Sequence, residues 1–152
     1  MNIVIEGCDG AGKTFLAKFL CERLGMYYWH ESTPRSMEEY KQMLVPGGVV
    51  FDRFCFGQFV YNTADERKLN VEQLRELCQS VFPQTHTILI YVDAKTEDII
   101  NRLIKRGEGS QADYADMEKW IKNIRGTYRQ FLREAGAEYI EIDGGKSVCI
   151  SI

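Results

Sequence analysis

The sequence predicts an α/β fold: a five-stranded parallel sheet flanked by helices in three layers. Three observations predict it. Short apolar runs alternate with amphipathic stretches along the chain, which implies parallel strands joined by right-handed helical crossovers. A glycine-rich turn lies between the first apolar run and the first amphipathic stretch, where sheets of this kind bind ligands. No internal repeat and no Pro/Ser-rich linker divides the 152 residues, so 1–152 reads as one domain with one core.

The elements follow in order. Asn2 to Glu6 is an apolar run long enough for a buried strand. Thr14 to Leu24 places Leu16, Phe19, Leu20 and Leu24 at helical spacing, and Gly25 stands where a C-terminal glycine belongs. Met26 to Trp29 is a short aromatic strand. Ser36 to Leu44 reads as a helix opened by Ser36 with Glu39 three residues on, a capping box. Val49 to Phe51 is the third strand. Asn70 opens another helix with Gln73 in the reciprocal position, and Val71, Leu74, Leu77 and Cys78 share a face. Thr87 to Val92 is the clearest strand. Lys95 to Arg106 follows as a helix with Ile99, Ile100, Leu103 and Ile104 inward, stopped by Gly107. Asp116 to Glu134 is the longest helix, with Met117, Trp120, Ile121, Ile124, Tyr128, Phe131 and Leu132 as its apolar stripe. Glu138 to Ile142 is the last strand.

Composition narrows the function classes. With 45% hydrophobic and 27% charged residues the chain is neither disordered nor low-complexity. Nineteen basic against 22 acidic residues give a net charge of −3, so nothing draws it generally to polymeric nucleic acid or an anionic membrane. The apolar run Ile88 to Val92 is far short of the ~20 residues a bilayer span needs. The chain opens directly on a strand, with no signal peptide expected. Its five cysteines have no metal-binding spacing and read as reduced thiols in a cytoplasmic setting.

Gly7, Cys8, Asp9, Gly10, Ala11, Gly12, Lys13 and Thr14 fit the pattern G-x-x-x-x-G-K-[ST] at every fixed position. Glycines let the backbone wrap a phosphate with its N–H groups inward, and the helix that starts there turns its positive end to the same anion. Lys13 would reach the β- and γ-phosphates and the Thr14 hydroxyl would ligate Mg²⁺. The strand before and the helix after are the context this motif requires. ATP or GTP with Mg²⁺ is the expected ligand.

Further stretches resemble one family. Glu6, Gly7, Cys8 and Asp9 are similar to the E-G-x-D opening of thymidylate kinases. Asp52-Arg53-Phe54, with the aromatic and amide positions that run on to Asn62, is similar to the D-R-[YFH] segment of that family. Asp93 and Glu97, then Arg102, Arg106, Gly107 and Glu108, resemble its fourth-strand Asp and the arginines leading into its lid. The blocks keep their order over roughly residues 2–108. The resemblance implies a P-loop NTPase fold with a short lid over 107–115, a homodimer, and transfer of the γ-phosphoryl group of ATP to a deoxynucleoside monophosphate, foremost dTMP.

Simple chemistry supports a monophosphate kinase independently. The acceptor is a phosphate oxygen, anionic at neutral pH, so the reaction needs no general base but does need positive charge to hold two anions together. Arg53, just past a strand end, suits a bidentate grip on the acceptor phosphate; a surface ion pair is its plainer reading. Asp52 would hold Mg²⁺ through water or cap a helix, and Asp93 has the same two readings. The resemblance implies that Asp9 accepts from the 3′-hydroxyl of a deoxyribose; otherwise it is a turn-forming Asp. Phe54, Phe56, Phe59 and Tyr61 either wall a base or pack the core. Gln58 and Asn62 are amides placed to read base edges. Arg102 and Arg106 share a helix face; the resemblance implies Arg106 at the transferring charge and Arg102 at the ATP phosphates or adenine, and otherwise they form an exposed face with surface pairs.

Three departures stand against the family pattern. Asp113 is followed by Tyr114 instead of an arginine, and Glu31 to Arg35 replaces the R-E-P stretch, leaving Arg35 either a phosphate contact or an ordinary loop charge. The chain is also short, with Asp143, Gly144, Gly145 and Lys146 expected to seat the donor base. The basic row Lys122, Arg125, Arg129 and Arg133 reads as a solvated helix face.

A deoxynucleoside kinase would share the cradle but needs a carboxylate base, for which Glu31 is the candidate. A GTPase would want an N-K-x-D motif, which the sequence lacks. A non-catalytic nucleotide-binding regulator is opposed by Lys13, Thr14, Arg53 and Arg106 together. An adenylate kinase would usually carry Gly-Lys-Gly where this chain has Gly12-Lys13-Thr14.

Overall fold

The computed structural model describes residues 1–61 and 68–145. Five strands, β1 (Asn2–Glu6), β2 (Tyr27–His30), β3 (Val49–Asp52), β4 (Thr87–Asp93) and β5 (Ile140–Asp143), form one sheet in the order β2-β3-β1-β4-β5. Every neighbouring pair is parallel. The predicted α/β class and its five strands are therefore observed.

Alternation along the strands sends side chains to two cores. Ile3, Ile5, Val50, Ile90 and Val92 face α1 (Lys13–Leu24), where Leu16, Ala17 and Leu20 cover them. Val4, Phe51, Leu89 and Tyr91 face the other way. There they meet α2 (Met37–Leu44), α3 (Phe56–Val60), α4 (Val71–Glu76), α5 (Phe82–Gln84), α6 (Thr96–Lys105) and α7 (Tyr114–Glu134). The single core expected from the sequence is thus two, one on each face, the second much the larger.

Helix ends follow their caps. Ser36 and Glu39 close the capping box of α2, and Asn70 with Gln73 closes that of α4. Gly25 ends α1 in the left-handed region at φ 66°. Two features escaped sequence reading. Residues 56–60 form a helix too short to show a period, and a π turn (Leu77–Val81) joins α4 to α5. Trp120, expected in the stripe of α7, is 43% exposed, its ring beside that of Tyr61.

The strands end on polar residues: Glu6, His30, Asp52, Asp93 and Asp143. That edge is where ligands of a parallel sheet bind.

Candidate active site

Two cavities open at this edge. The first, about 320 Å³, is bordered by Gly10, Gly12, Lys13, Thr14, Arg102 and Arg106, with Asp9, Phe15, Arg53 and Lys105. Gly12 turns the chain into α1 at φ 106°, a conformation a side chain would strain. Lys13 is 6% exposed, and its Nζ donates to the Cys8 carbonyl at 2.8 Å. Burial lowers its pKa, an effect the nearby Asp9 carboxylate partly offsets.

Thr14 Oγ1 donates to Asp52 Oδ2 at 2.6 Å. Burial acts to raise the Asp52 pKa, but hydrogen bonds from Thr14, Tyr28 and His30, with Lys13 nearby, hold it below the usual range. Asp52 Oδ1 is buried without a hydrogen-bond partner. A hydroxyl and an ionised carboxylate with one uncommitted oxygen are the hard donors Mg²⁺ prefers, so these residues fit the ion. No cluster of three or more His, Cys, Asp or Glu suited to a metal occurs among the described residues. A protein carboxylate and hydroxyl completed by phosphates is the usual Mg²⁺ arrangement in such sites. The helix-cap reading of Asp52 is corrected: Cys55 caps α3.

Arg102 joins the cradle to the turn after β5. Its guanidinium donates to the carbonyls of Gly10 and Gly144, both at 2.9 Å. Gly144 itself presses on the loop, where a Cβ would overlap the Ala11 carbonyl. Arg106 is half exposed and its Nη2 lies 3.3 Å from Glu108 Oε2. Of the segment 107–115, residues Gln111–Asp113 form a 3-10 turn that runs directly into α7.

The second cavity, about 220 Å³, is bordered by Glu31, Phe54, Gln58, Tyr61 and Tyr128 among others, and by Arg53. Arg53 therefore borders both cavities. It holds φ 73°, unusual for a side-chain-bearing residue, and is ion-paired with Asp9. The adjacent carboxylate, Asp52, is committed to Thr14, Tyr28 and His30. Gln58 is buried, its amide nitrogen donating to Tyr40 Oη and to the Arg35 carbonyl. Phe54 packs on Tyr40 and Phe51 while bordering the cavity; Phe56 and Phe59 lie in the core. Arg35 Nε donates to Glu31 Oε2 at 2.8 Å, so its charge is engaged within its own loop. Asn62 and Lys146 lie outside the described residues.

Asp93 corrects one expectation. It does not cap α6, whose cap is Lys95, and its carboxylate is taken up by arginines. Arg125 grips it through Nε and Nη2 at 2.7 and 2.8 Å, and Arg129 adds a bond at 2.8 Å. Burial opposes its ionisation, but the two arginines outweigh that and lower its pKa. Arg125 and Arg129 are thus a clamp between α7, β4 and, through Glu141, β5, not a solvated face. Their charges turn inward because Asp93 would otherwise be a buried anion without a partner.

Glu6 sits between the cavities and the core. Its Oε1 accepts from the Phe54 and Phe56 N–H groups and its Oε2 from Tyr128 Oη. Complete burial pushes its pKa up to about 7, against the pull of Lys13.

The family model for thymidylate kinase matches residues 35–150. The chain belongs to the thymidylate kinase family. The match begins after the cradle, so the phosphate motif and the family assignment are separate observations. A probable thymidylate kinase of Archaeoglobus fulgidus is 24% identical over 181 residues, spanning 96% of this chain and 88% of the relative. A second, from Methanococcus vannielii, is 25% identical over 66% of this chain and 64% of the relative. In three dimensions the chain is similar to the YorR protein of Bacillus subtilis, solved in complex with phosphorylated GDP. That likeness has a TM-score of 0.75 at 23% identity, covering 96% of this chain and 87% of that one. It is also similar to a deoxyadenosine kinase from M. mycoides, with a TM-score of 0.61 at 20% identity over 97% and 93% of the chains. The fold is that of P-loop kinases, and membership of the thymidylate kinase family makes the chain an ATP-dependent nucleoside monophosphate kinase.

For a member of this family, the structure adds site residues that sequence reading passed over. Tyr28 and His30 reach Asp52 from β2, a strand too short to reveal a pattern. Tyr128 was counted only as core, yet it borders the second cavity. Lys105 borders the first and stands three residues after Arg102, a spacing that could have marked it. Phe15, 79% exposed, borders the same cavity, and nothing in the sequence signalled it. No helix among the described residues is long and apolar enough to cross a membrane, and the four described cysteines are free thiols.

Proposed function

We propose that the chain transfers the γ-phosphoryl group of ATP to a deoxynucleoside monophosphate, best dTMP, giving ADP and the diphosphate. The observation that carries this reading is the place of Arg53. A cation bordering both cavities suits an acceptor phosphate facing a donor phosphate held at Lys13. The acceptor oxygen attacks phosphorus as the bond to the ADP oxygen breaks. It is already anionic, so the residues have to position and neutralise, not deprotonate.

In this reading the backbone of residues 7–14 holds the donor phosphates, with Lys13 and Arg106 neutralising the transferring group. Thr14 and Asp52 would hold Mg²⁺, which when bound supplies charge neutralisation across the β- and γ-phosphates. Arg53 takes the acceptor phosphate in exchange for Asp9, freeing that carboxylate for the sugar hydroxyl. Phe54 and Gln58 line the base side, and Arg102 flanks the donor. Residues 107–115 serve as the lid. The family resemblance adds a homodimer and a cytoplasmic setting, tested by sedimentation and cell fractionation.

Glu31 favours a second reading, as the base of a deoxynucleoside kinase, because it borders the acceptor cavity. Against it, both its oxygens already accept hydrogen bonds, from Thr33 N, Arg35 Nε and Trp29 Nε1. A coupled ADP-release assay with Mg·ATP against deoxynucleoside monophosphates and free deoxynucleosides separates the two. Turnover greatest on dTMP is expected; turnover on free nucleosides alone would replace this reading with the second.

A further inference from the structure

We propose that Tyr28 and His30 are positioning residues that fix the Asp52 carboxylate for a divalent metal. This rests on reading Thr14 and Asp52 as the metal seat.

β2 is an edge strand whose four residues are all exposed to some degree, an odd place for two aromatic side chains with polar tips unless the tips do something. The register answers this. Tyr28 pairs with Val50 and His30 with Asp52, so all four side chains stand on the face that α1 covers. From there Tyr28 Oη donates to Asp52 Oδ2 at 2.9 Å, and His30 Nδ1 lies 3.2 Å from the same oxygen. The Lys18 ammonium of α1 sits 5.7 Å from the centre of the Tyr28 ring, within cation–π range.

Oδ2 therefore meets three polar groups, from Thr14, Tyr28 and His30. A carboxylate offers about four lone-pair sites over its two oxygens. Crowding three partners onto one oxygen fixes the plane of the group and leaves Oδ1, buried and without a partner, as the uncommitted acceptor. The Thr14 hydroxyl proton is likewise committed to Oδ2, and Thr14 itself borders the donor cavity. With Thr14 alone as partner, the carboxylate could turn either oxygen to it and hold neither arrangement. Outer partners of this kind typically set metal affinity by about 10- to 100-fold.

The test is Mn²⁺ binding to the protein–ADP complex, followed by electron paramagnetic resonance, with ADP affinity measured separately in EDTA by calorimetry. Tyr28→Phe removes one oxygen and keeps the ring. We expect it to weaken Mn²⁺ binding about tenfold, with metal-free ADP affinity and Tm unchanged. His30→Ala should act in the same direction, and His30→Asn, which keeps an N–H donor near the Nδ1 position, should recover most of the loss. Unchanged Mn²⁺ affinity in Tyr28→Phe would overturn the proposal. So would an equal fall in metal-free ADP affinity, which would mean that the residue supports the cradle as a whole. The titration needs neither acceptor nor turnover. Absence of kinase activity would therefore defeat the proposed function without deciding this one.

Discussion

The two cavities are built differently. The donor side is built on main chain, the loop 7–14, the start of α1 and the carbonyls that Arg102 ties together, with Lys13, Thr14 and Arg106 set upon it. The acceptor side is made of side chains, and the arginine that borders it already has an anion. Arg53 is paired with Asp9, and Glu31, which borders this cavity, holds Arg35. A backbone cradle is preorganised, because its donors are fixed by the fold and need no reorganisation when phosphate arrives. A cavity of ion pairs works by exchange: in the proposed reading, the incoming phosphate would have to replace the Asp9 carboxylate on Arg53. Binding at the acceptor side should therefore depend on single side chains far more than donor binding does.

Substitutions can break that contrast. The largest effect is expected for Lys13→Ala, which removes the buried cation of the donor side. It should lower kcat by at least about 10³-fold, as loss of a charge at the transferring group does, while Tm stays close to that of the parent chain. Full turnover in this variant would remove the P-loop from the mechanism. Next comes Arg53→Ala, expected to raise the acceptor KM about 30-fold, or about 2 kcal/mol, with the ATP KM within about twofold. An acceptor KM that did not move would mean that the exchange does not occur.

Asp93→Ala sharpens the comparison from outside both cavities. It strands Arg125 and Arg129 without their shared anion, and thermal unfolding should show a loss of about 2 kcal/mol. Both KM values should hold; if either rose more than stability explained, the clamp would belong to the site.

Smallest is a pH effect at Glu6, which lies between the two sides. Its folded pKa of about 7 stands above the model-peptide value of 4.5. The folded chain therefore binds the extra proton, and the stability Glu6 contributes is fully present below pH 4.5 and lost as pH rises through about 7. The slope in that window is at most about 1.4 kcal/mol per pH unit. Denaturant titrations across it should show Glu6→Gln with the flatter profile.

The same contrast explains what the sequence could reveal. Backbone-built features follow local rules, so the cradle at 7–14, the capping boxes at Ser36 and Asn70 and the glycine stop at Gly25 were all readable. Side-chain pairings over long separations were not. Asp93 and Arg125 are 32 residues apart, and Tyr28 and Asp52 are 24 apart. The clamp looked like a charged helix face because 3.6-residue spacing reports which residues share a face, not what that face meets. Arg53 was readable as a cation past a strand end. Its left-handed backbone, and the pairing with Asp9, follow from the turn after β3 and have no signature in residue type.

Gly144 has a consequence for tolerance to change. It lies 130 residues beyond Thr14 and outside the phosphate motif, yet its missing side chain lets the turn after β5 touch the Ala11 carbonyl. In a saturation library selected for phosphoryl transfer, position 144 should behave like a ninth position of the cradle. Alanine there would already displace the loop, and larger residues would be depleted as strongly as substitutions of Gly12. A screen of that kind would mark as one functional unit two segments that sequence comparison along the chain treats as strangers.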